Sequence, residues 1–358
     1  MKERIVVKIG SNVLTRKDST LDVTRMSALV DQIAELHKNG IEIILVSSGA
    51  VASGRTLVKV NSKLDTISAR QLYSAVGQVK LINRYYDLFH QQRIVCGQVL
   101  ATKEDFATRR HYLNQRNCMQ VMLDNKVIPI VNENDTISVN ELMFTDNDEL
   151  SGLVAAMMDC KKLIILSNID GIYNGDPSKK SSSIIKTIDV EKDDITEFIQ
   201  SSKSSAGRGG MQTKYNIARK VAKEGTEVII ANGRKDNILI QLLKDKEAVC
   251  TRFIPSSKEV SSVKKWIAHS TGFTKGEIHI NPCAKDVLLG DKAVSLLPIG
   301  ITKIIGSFEA DDIVRIIDND GKQIGIGRTA YASEDAIKLI GKSHKKPIIH
   351  YDYLYIEK

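Results

Sequence analysis

The chain has 358 residues, which is long for a single domain and predicts two. With 42% hydrophobic and 26% charged residues it has the composition of a globular protein, and its apolar runs are too short and too interrupted for a membrane span. No early charged-then-apolar leader is visible, so we expect a cytoplasmic location. The five cysteines are widely spaced and form no CxxC pair, which favours free thiols over a disulfide framework or a zinc site.

The net charge of +8 is unevenly distributed along the chain. Residues 275–358 contain 12 basic and 12 acidic side chains, so the whole excess of positive charge lies before them. Such an excess favours a polyanionic ligand, and a substrate with several phosphates explains it as well as RNA does.

The first segment, Arg4–Ile9, has the branched residues of a strand but includes Lys8, shortly before Gly10 and Ser11. A lysine in an otherwise apolar strand indicates a bound anion. The alternative is an edge strand whose lysine extends to solvent.

Helices and strands then alternate along the chain. The spacing of apolar residues and the positions of turn residues predict helix 22–39, strand 41–46, helix 67–91, strand 94–100, helix 114–124, strand 127–131, helix 150–158 and strand 162–166. Alternation of this kind is typical of a parallel sheet covered by helices.

The second strand ends in Ser47, Ser48 and Gly49. Small residues at a strand-to-helix turn leave backbone N–H groups open to an anion. The sequence that continues from Gly49 nearly matches a P-loop, but Arg55 replaces the lysine that would reach the terminal phosphates, and we reject that interpretation.

Polar residues cluster twice after the strand at 127–131, first over Asn132–Asp135 and then over Asp146–Asp148. The turn and helix-cap preferences of Asn and Asp explain one or two of these residues, but not all of them. Because ligands of an open parallel sheet bind beyond the carboxyl ends of its strands, we predict a ligand site here.

The later part of the chain changes character. An excursion over 176–210, rich in Lys, Ser and Asp, ends in a glycine-rich segment before a helix that carries Lys214 and a strand over 227–231. Glycines ahead of such a helix suit a phosphate tail, although a hinge is their commoner role. A polar connector then leads to short strands over 277–280, 313–317 and 324–327, which predict a small β-rich barrel.

Six motifs, in this order, resemble the amino acid kinase family over essentially the whole chain. They are VVKIGSNVLT from Val6, VSSGAVASGR from Val46, VNEND from Val131, TDNDELS from Thr145, GGMQTK from Gly209 and SLLPIGI from Ser295. The resemblance implies an α/β fold, with an α/β/α sandwich around a largely parallel central sheet over residues 1–250. It also implies a linker over 251–274 and, over 275–358, a small β-barrel-like PUA domain.

The motifs are most similar to the family members that phosphorylate glutamate. The resemblance therefore implies ATP-dependent phosphorylation of the γ-carboxylate of L-glutamate to L-glutamyl 5-phosphate, the first step of proline biosynthesis. ATP and Mg²⁺ are the implied cofactors, proline is the implied feedback inhibitor, and a homo-oligomer without membrane association is the implied state.

The resemblance also assigns site residues, position by position. Lys8 and Lys214 correspond to the cations at the transferred phosphoryl group, Asp148 to the carboxylate that orients them, and Gly10, Ser11 and Gly49 to backbone donors. The glutamate pocket is assigned to Ser48, Asp135 and Asn147, with Asn132 and Asn134 shaping it. The nucleotide side is assigned to Ser167, Asn168, Arg208, Gly209, Gly210, Met211, Gln212, Thr213 and Lys214. No residue is assigned to a metal.

Two alternatives stay open at this point. The first is another member of the family, an acetylglutamate or uridylate kinase, against which Ser48, Asp135, Asn147 and the PUA-like tail argue. The second is an RNA-binding protein that acts through its tail. That hypothesis predicts a basic tail, and because the tail is neutral we do not expect it to bind RNA.

Overall fold

The computed structural model describes residues 2–60, 64–138, 144, 146–176, 179, 181–193, 195, 210–245, 248–257, 260–290, 292–343 and 345–356. The chain forms two compact units. The first unit contains residues 1–105 and 113–259, and the second contains residues 106–112 and 260–358. No described helix is both long enough and apolar enough to cross a membrane.

The first unit is built around an eight-stranded sheet, counting the strands that the structure describes. Its strands are β1 Arg4–Ile9, β2 Glu42–Ser47, β3 Cys96–Ala101, β4 Ile128–Glu133, β5 Lys162–Ser167, β6 Thr187–Asp189, β7 Glu227–Asn232 and β8 Cys250–Ile254. Their order is β3-β4-β2-β1-β5-β7-β8-β6. All neighbours are parallel except β7 and β8, so the prediction of a largely parallel sheet is confirmed.

Strand β1 lies in the middle of this sheet, between β2 and β5. Lys8 faces Val46 across one neighbour and Ile165 across the other. The interpretation of β1 as an edge strand is therefore wrong, and the lysine side chain is 6% exposed. A central strand cannot send a lysine directly to solvent, so the ammonium group must have partners inside the protein.

Helices connect these strands. They are α1 Ser11–Leu14, α2 Val23–Lys38, α3 Ala50–Arg55, α4 Thr66–Gln91, α5 Glu104–Ala107, α6 Arg109–Asp124, α7 Asn147–Met157, α8 Met211–Lys223 and α9 Ile238–Ile240, which continues as the π-helix Gln241–Asp245. Side-chain caps fix several starts. The carboxylate of Asp146, for example, accepts from the N–H groups of Asp148 and Glu149, so α7 begins three residues earlier than its apolar periodicity predicts.

The long helix α4 packs against α3 at backbone distance. A Cβ on Gly77 would lie 1.8 Å from the carbonyl oxygen of Ala50, and one on Gly54 would lie 1.8 Å from that of Tyr73. No side chain other than hydrogen fits at either contact. This close packing fixes the face of α4 that lies over the end of β4.

The second unit contains a five-stranded sheet in the described part of the chain. Its strands are β9 Gly276–Ile280, β10 Ile301–Ile305, β11 Ile313–Ile317, β12 Gln323–Arg328 and β13 Leu354–Ile356, in the order β10-β9-β11-β12-β13. The pair β9 and β11 is parallel and the other pairs are antiparallel. The β-rich tail is as predicted. Three helices were not predicted in it: α10 Ser262–Ala268, α11 Pro282–Leu289 and α12 Ser333–Leu339.

The segment 251–274, predicted as a polar connector, contains regular structure. Strand β8 pairs with β7, and Thr251 is fully buried, where its hydroxyl donates to Ile185 O. Helix α10 buries Trp266, whose indole N–H donates to Phe106 O. The polar composition concealed these elements because a few residues with buried partners determine both.

Candidate active site

Four adjacent parallel strands, β4, β2, β1 and β5, end at one edge of the first sheet. The loops that leave them, together with the first turns of α7 and α8, carry most of the residues predicted to bind ligands. An edge of this kind is where open α/β sheets bind ligands, because several chain segments converge there without covering it.

Two lysines meet one carboxylate at this edge. Lys8 Nζ lies 2.5 Å from Asp148 Oδ1, and Lys214 Nζ lies 2.8 Å from Asp148 Oδ2. Asp148 is fully buried, and the side chains of Lys8 and Lys214 are 6% and 13% exposed. One negative charge thus holds two positive charges in place, and the surplus positive charge of the triad is offset by the neighbouring Asp146 when that carboxyl group is ionised.

The pKa values of the two neighbouring carboxyl groups are driven apart. Burial acts to raise the pKa of Asp148, but the two lysines outweigh it and lower the pKa to about 2. Burial and the negative charge of Asp148 raise the pKa of Asp146 to about 6. The Oδ2 atom of Asp146 is buried without a described hydrogen-bond partner, while Oδ1 caps α7. Asp148 is therefore held ionised, and Asp146 presents one unsatisfied oxygen.

Glycines flank Lys8 and the end of β2. A Cβ on Gly10 would lie 3.5 Å from Lys8 Nζ and 3.2 Å from Leu166 O, so this glycine leaves room beside the ammonium group. The N–H of Gly10 donates to Leu166 O and is used within the fold. Ser11 begins α1, and Gly49 precedes α3 with φ +105°, a conformation that favours glycine.

An amide cluster joins three of the predicted glutamate-pocket residues. The Nδ2 group of Asn147 lies 2.9 Å from each of Ser47 O, Ser48 Oγ and Asn132 Oδ1. The amide of Asn132 in turn donates to Gln78 Oε1. The ends of β2 and β4 and the start of α7 are thus fixed relative to one another by neutral polar groups.

Asp135 and Asn134 have other partners. Asp135 accepts from Arg70 Nε at 2.7 Å and from Ser74 Oγ at 3.2 Å, and no described contact joins it to the amide cluster. Asn134 accepts from the hydroxyl of Thr136 in the same turn. The structure therefore gives Asn134 a local role in the loop and places Asp135 against α4.

The predicted nucleotide-side residues lie at the ends of β5 and at the start of α8. Ser167 is buried at the end of β5, and Asn168 follows it on the surface. Gly210 precedes α8, and its first turn contains Met211, Gln212, Thr213 and Lys214. The early N–H groups of a helix have no intrahelical acceptor, which suits an anion. Arg208 and Gly209 lie outside the described residues.

Two site residues were missed at the sequence level. Asp146 was noted as part of a polar cluster but given no role of its own. Arg70 lies within the predicted helix 67–91 and was not singled out. The sequence feature that could have revealed Arg70 is its spacing from Ser74 and Gln78. Each of the three residues lies about one helical turn from the next, so they share one face of the helix.

A mostly parallel α/β sheet whose carboxyl edge holds two buried lysines on one carboxylate suits an enzyme that transfers phosphoryl groups. Residues 3–232 match the model of the amino acid kinase family, and residues 276–351 match the PUA domain. The chain therefore belongs to the amino acid kinase family.

Curated relatives indicate which members of this family the chain resembles. The chain is 68% identical over 355 residues to a glutamate 5-kinase from Bacteroides thetaiotaomicron, a match that covers 99% of this chain and 98% of the relative. It is 46% identical over 354 residues to a glutamate 5-kinase from Chlorobaculum tepidum, covering 99% and 97%. Among solved structures, carbamate kinase from Giardia lamblia bound to AMP-PNP aligns with a TM-score of 0.52 at 15% identity, covering 71% of this chain and 99% of that one. The last similarity shows the fold alone.

Proposed function

We propose that the chain transfers the γ-phosphoryl group of ATP to the γ-carboxylate of L-glutamate, which forms L-glutamyl 5-phosphate in the first step of proline biosynthesis. The observation that carries the proposal is the buried triad of Lys8, Asp148 and Lys214 in a chain 68% identical to a glutamate 5-kinase. Two ammonium groups held in fixed positions by Asp148 can compensate the charge of a transferring phosphoryl group.

The chemistry of the acceptor explains why the site needs no general base. A carboxylate is already ionised at neutral pH and attacks phosphorus through oxygen without losing a proton. The site must instead hold two anions in line and neutralise the charge that develops between them. Lys8 and Lys214 supply that neutralisation, and Asp148 holds both ammonium groups in position.

The glutamate substrate is assigned to the amide cluster and its surroundings. Ser48 and Asn132 offer a hydroxyl and an amide group to the carboxylates of the substrate, whereas the Nδ2 group of Asn147 is used within the cluster and its Oδ1 is an acceptor for the α-ammonium group. Its α-ammonium group requires anionic or carbonyl oxygen, which Asp135 and the unsatisfied Oδ2 of Asp146 supply. Asn134 contributes by shaping the loop that carries Asp135.

ATP is assigned to the ends of β5 and α8. The space left beside Lys8 by Gly10 and the N-terminal turn of α8 fit phosphate groups, and Ser167 and Asn168 lie on the nucleotide side. Among the described residues, no group of three or more His, Cys, Asp or Glu side chains is arranged to hold a metal ion. Mg²⁺, when bound, neutralises phosphate charge, and it commonly takes phosphate oxygens and water as most of its ligands.

Acyl-phosphate trapping tests this function. Purified protein is incubated with Mg-ATP, hydroxylamine and one acceptor at a time: L-glutamate, N-acetylglutamate, L-aspartate or UMP. We expect hydroxamate from L-glutamate and at least tenfold less from the other acids. Asp148→Asn, which loses the charge that holds both lysines, serves as the inactive control.

The outcomes separate the candidate functions. Hydroxamate from N-acetylglutamate alone, or UMP-dependent ADP formation, would assign the chain to another branch of the family. No ATP turnover with any acceptor would contradict a kinase. Inhibition by proline, assembly into a homo-oligomer and a cytoplasmic location stay predictions, and adding L-proline to the same assay tests the first of them.

A further inference from the structure

Helix α4 carries a row of polar side chains, called here the polar stripe, that faces the proposed glutamate pocket. Arg70, Ser74 and Gln78 are spaced one turn apart and contact the end of β4 and the loop after it. Gln71, beside them, donates to Thr136 O in the same loop. The described polar contacts of these four side chains are with the segment that carries the proposed glutamate ligands.

Arg70 joins two buried carboxylates. Its Nε lies 2.7 Å from Asp135 Oδ1, and one terminal nitrogen lies 2.9 Å from Glu133 Oε2. Glu133 and Asp135 are 5% and 6% exposed, and the Arg70 side chain is 18% exposed. The other oxygen of Glu133 accepts from Ser138 Oγ and Phe144 N. Among the described residues the cluster contains two carboxylates and one guanidinium group, and these three groups together carry one negative charge when all are ionised.

We propose that Arg70 is a positioning residue that sets the charge and orientation of Asp135, so that the buried cluster keeps one negative charge for the α-ammonium group of the substrate to neutralise. This inference rests on the proposed function and extends it to the choice of substrate. A free amino acid brings the missing positive charge. An N-acylated amino acid brings none and leaves the buried negative charge unbalanced.

The physical argument is the cost of two buried carboxylates without a cation. Burial and the charge of Asp135 raise the pKa of Glu133, whereas Arg70 and hydrogen bonds from Phe144 and Ser138 oppose that rise. If Arg70 is lost, the pKa of Glu133 rises further, and the paired hydrogen bonds that align Asp135 are gone. The added proton and the α-ammonium group of the substrate then compete to balance the same two carboxylates, so the KM for glutamate becomes pH-dependent.

A purely structural role predicts something different. Removing a buried ion-pair partner would then lower stability and the amount of active enzyme, without changing how the remaining enzyme selects its substrate. The two roles are distinguished by KM, by its dependence on pH and by the acceptor preference, none of which depends on the fraction of active enzyme.

The experiment compares Arg70→Gln and Arg70→Lys with the wild type and with Arg84→Gln. Arg84 lies on the same helix, and the described residues include no ion-pair partner for it. Wild-type turnover of glutamate is measured first. Then kcat and KM for glutamate and for ATP are measured between pH 7 and 9, with N-acetylglutamate as a second acceptor.

We expect Arg70→Gln to raise the KM for glutamate at pH 7 by about 10- to 100-fold, with kcat and the KM for ATP changed by less than about threefold. The increase should shrink as the pH rises to 9, and the preference for glutamate over N-acetylglutamate should fall. Arg70→Lys keeps the positive charge but cannot form both hydrogen bonds of the guanidinium group, so it should recover part of the affinity for glutamate. Arg84→Gln should match the wild type.

An unchanged and pH-independent KM in Arg70→Gln, or equal losses with both acceptors, would overturn the inference. If Arg70→Gln does not fold, Arg70→Ala is tested by the same criteria. Absence of wild-type turnover contradicts the proposed function instead, so the two failures are distinguishable.

Discussion

Replacement of Lys214 by Ala probes the charge balance of the active site. In the structure its ammonium group lies 2.8 Å from Asp148 Oδ2, and Lys8 occupies the other oxygen. Without Lys214 the remaining ion pair is neutral, and the transferring phosphoryl group loses one compensating charge. At an effective dielectric constant of about 20, a unit charge about 4 Å away is worth roughly 4 kcal/mol. Loss of one positioned donor lowers kcat by about 100- to 1000-fold in other enzymes, and we expect a decrease of that size.

The measurement is steady-state kinetics on folded Lys214→Ala, with circular dichroism as the check of folding. Because the lost charge acts mainly in the transition state, kcat should fall far more than the KM for glutamate rises. Lys223→Ala, at the other end of α8, is the matched control and should retain kcat within about threefold. Near-normal turnover by folded Lys214→Ala would refute the reasoning and leave the glycine-rich segment as a hinge.

Three further predictions follow from the described contacts. Asp146→Asn keeps the helix cap but removes a carboxyl group whose pKa is raised to about 6 in the folded protein. Because ionisation of Asp146 destabilises the fold as the pH rises through 6, the free energy of unfolding at pH 8 should be about 1–3 kcal/mol higher in the variant, with no gain at pH 4. Turnover by the variant should fall. Gly77→Ala should lower the melting temperature sharply because its Cβ would lie 1.8 Å from Ala50 O, whereas Gly272→Ala, with open space around it, should not. Titration of the whole protein with labelled transfer RNA at physiological salt should give a dissociation constant above about 1 µM, and tight binding with a steep salt dependence would contradict a tail that does not bind RNA.

Sequence alone predicted the parts of the site that break a local pattern. Lys8 was recognisable because a lysine interrupts an apolar strand, and Asp148 because three polar residues stand before an apolar helix. The structure supplied their relation, since Asp148 and Lys214 are 66 residues apart in sequence and meet only through the fold. The alternation of helices and strands along the chain was also sufficient to predict the central sheet, because local periodicity reveals each of these elements.

The missed features depend on partners distant in sequence. Strand β6 has three residues and exists because Thr187 pairs with Arg252 on β8. Helix α10 lies in a stretch of polar composition and is fixed by the buried Trp266. Arg70 was not singled out, because its partners Asp135 and Glu133 lie 65 and 63 residues further along the chain. Long-range contacts of this kind leave no local periodicity to detect.

The most direct test of phosphoryl transfer to the glutamate carboxylate follows an oxygen atom. Glutamate labelled with ¹⁸O in its γ-carboxylate is incubated with the enzyme, Mg-ATP and hydroxylamine, and the released phosphate is analysed by mass spectrometry. If a carboxylate oxygen attacks the γ-phosphorus, hydroxylamine cleaves the product at its carbonyl carbon and the phosphate keeps one ¹⁸O atom. Unlabelled phosphate released at the rate of ADP formation would show attack by water and would contradict the account.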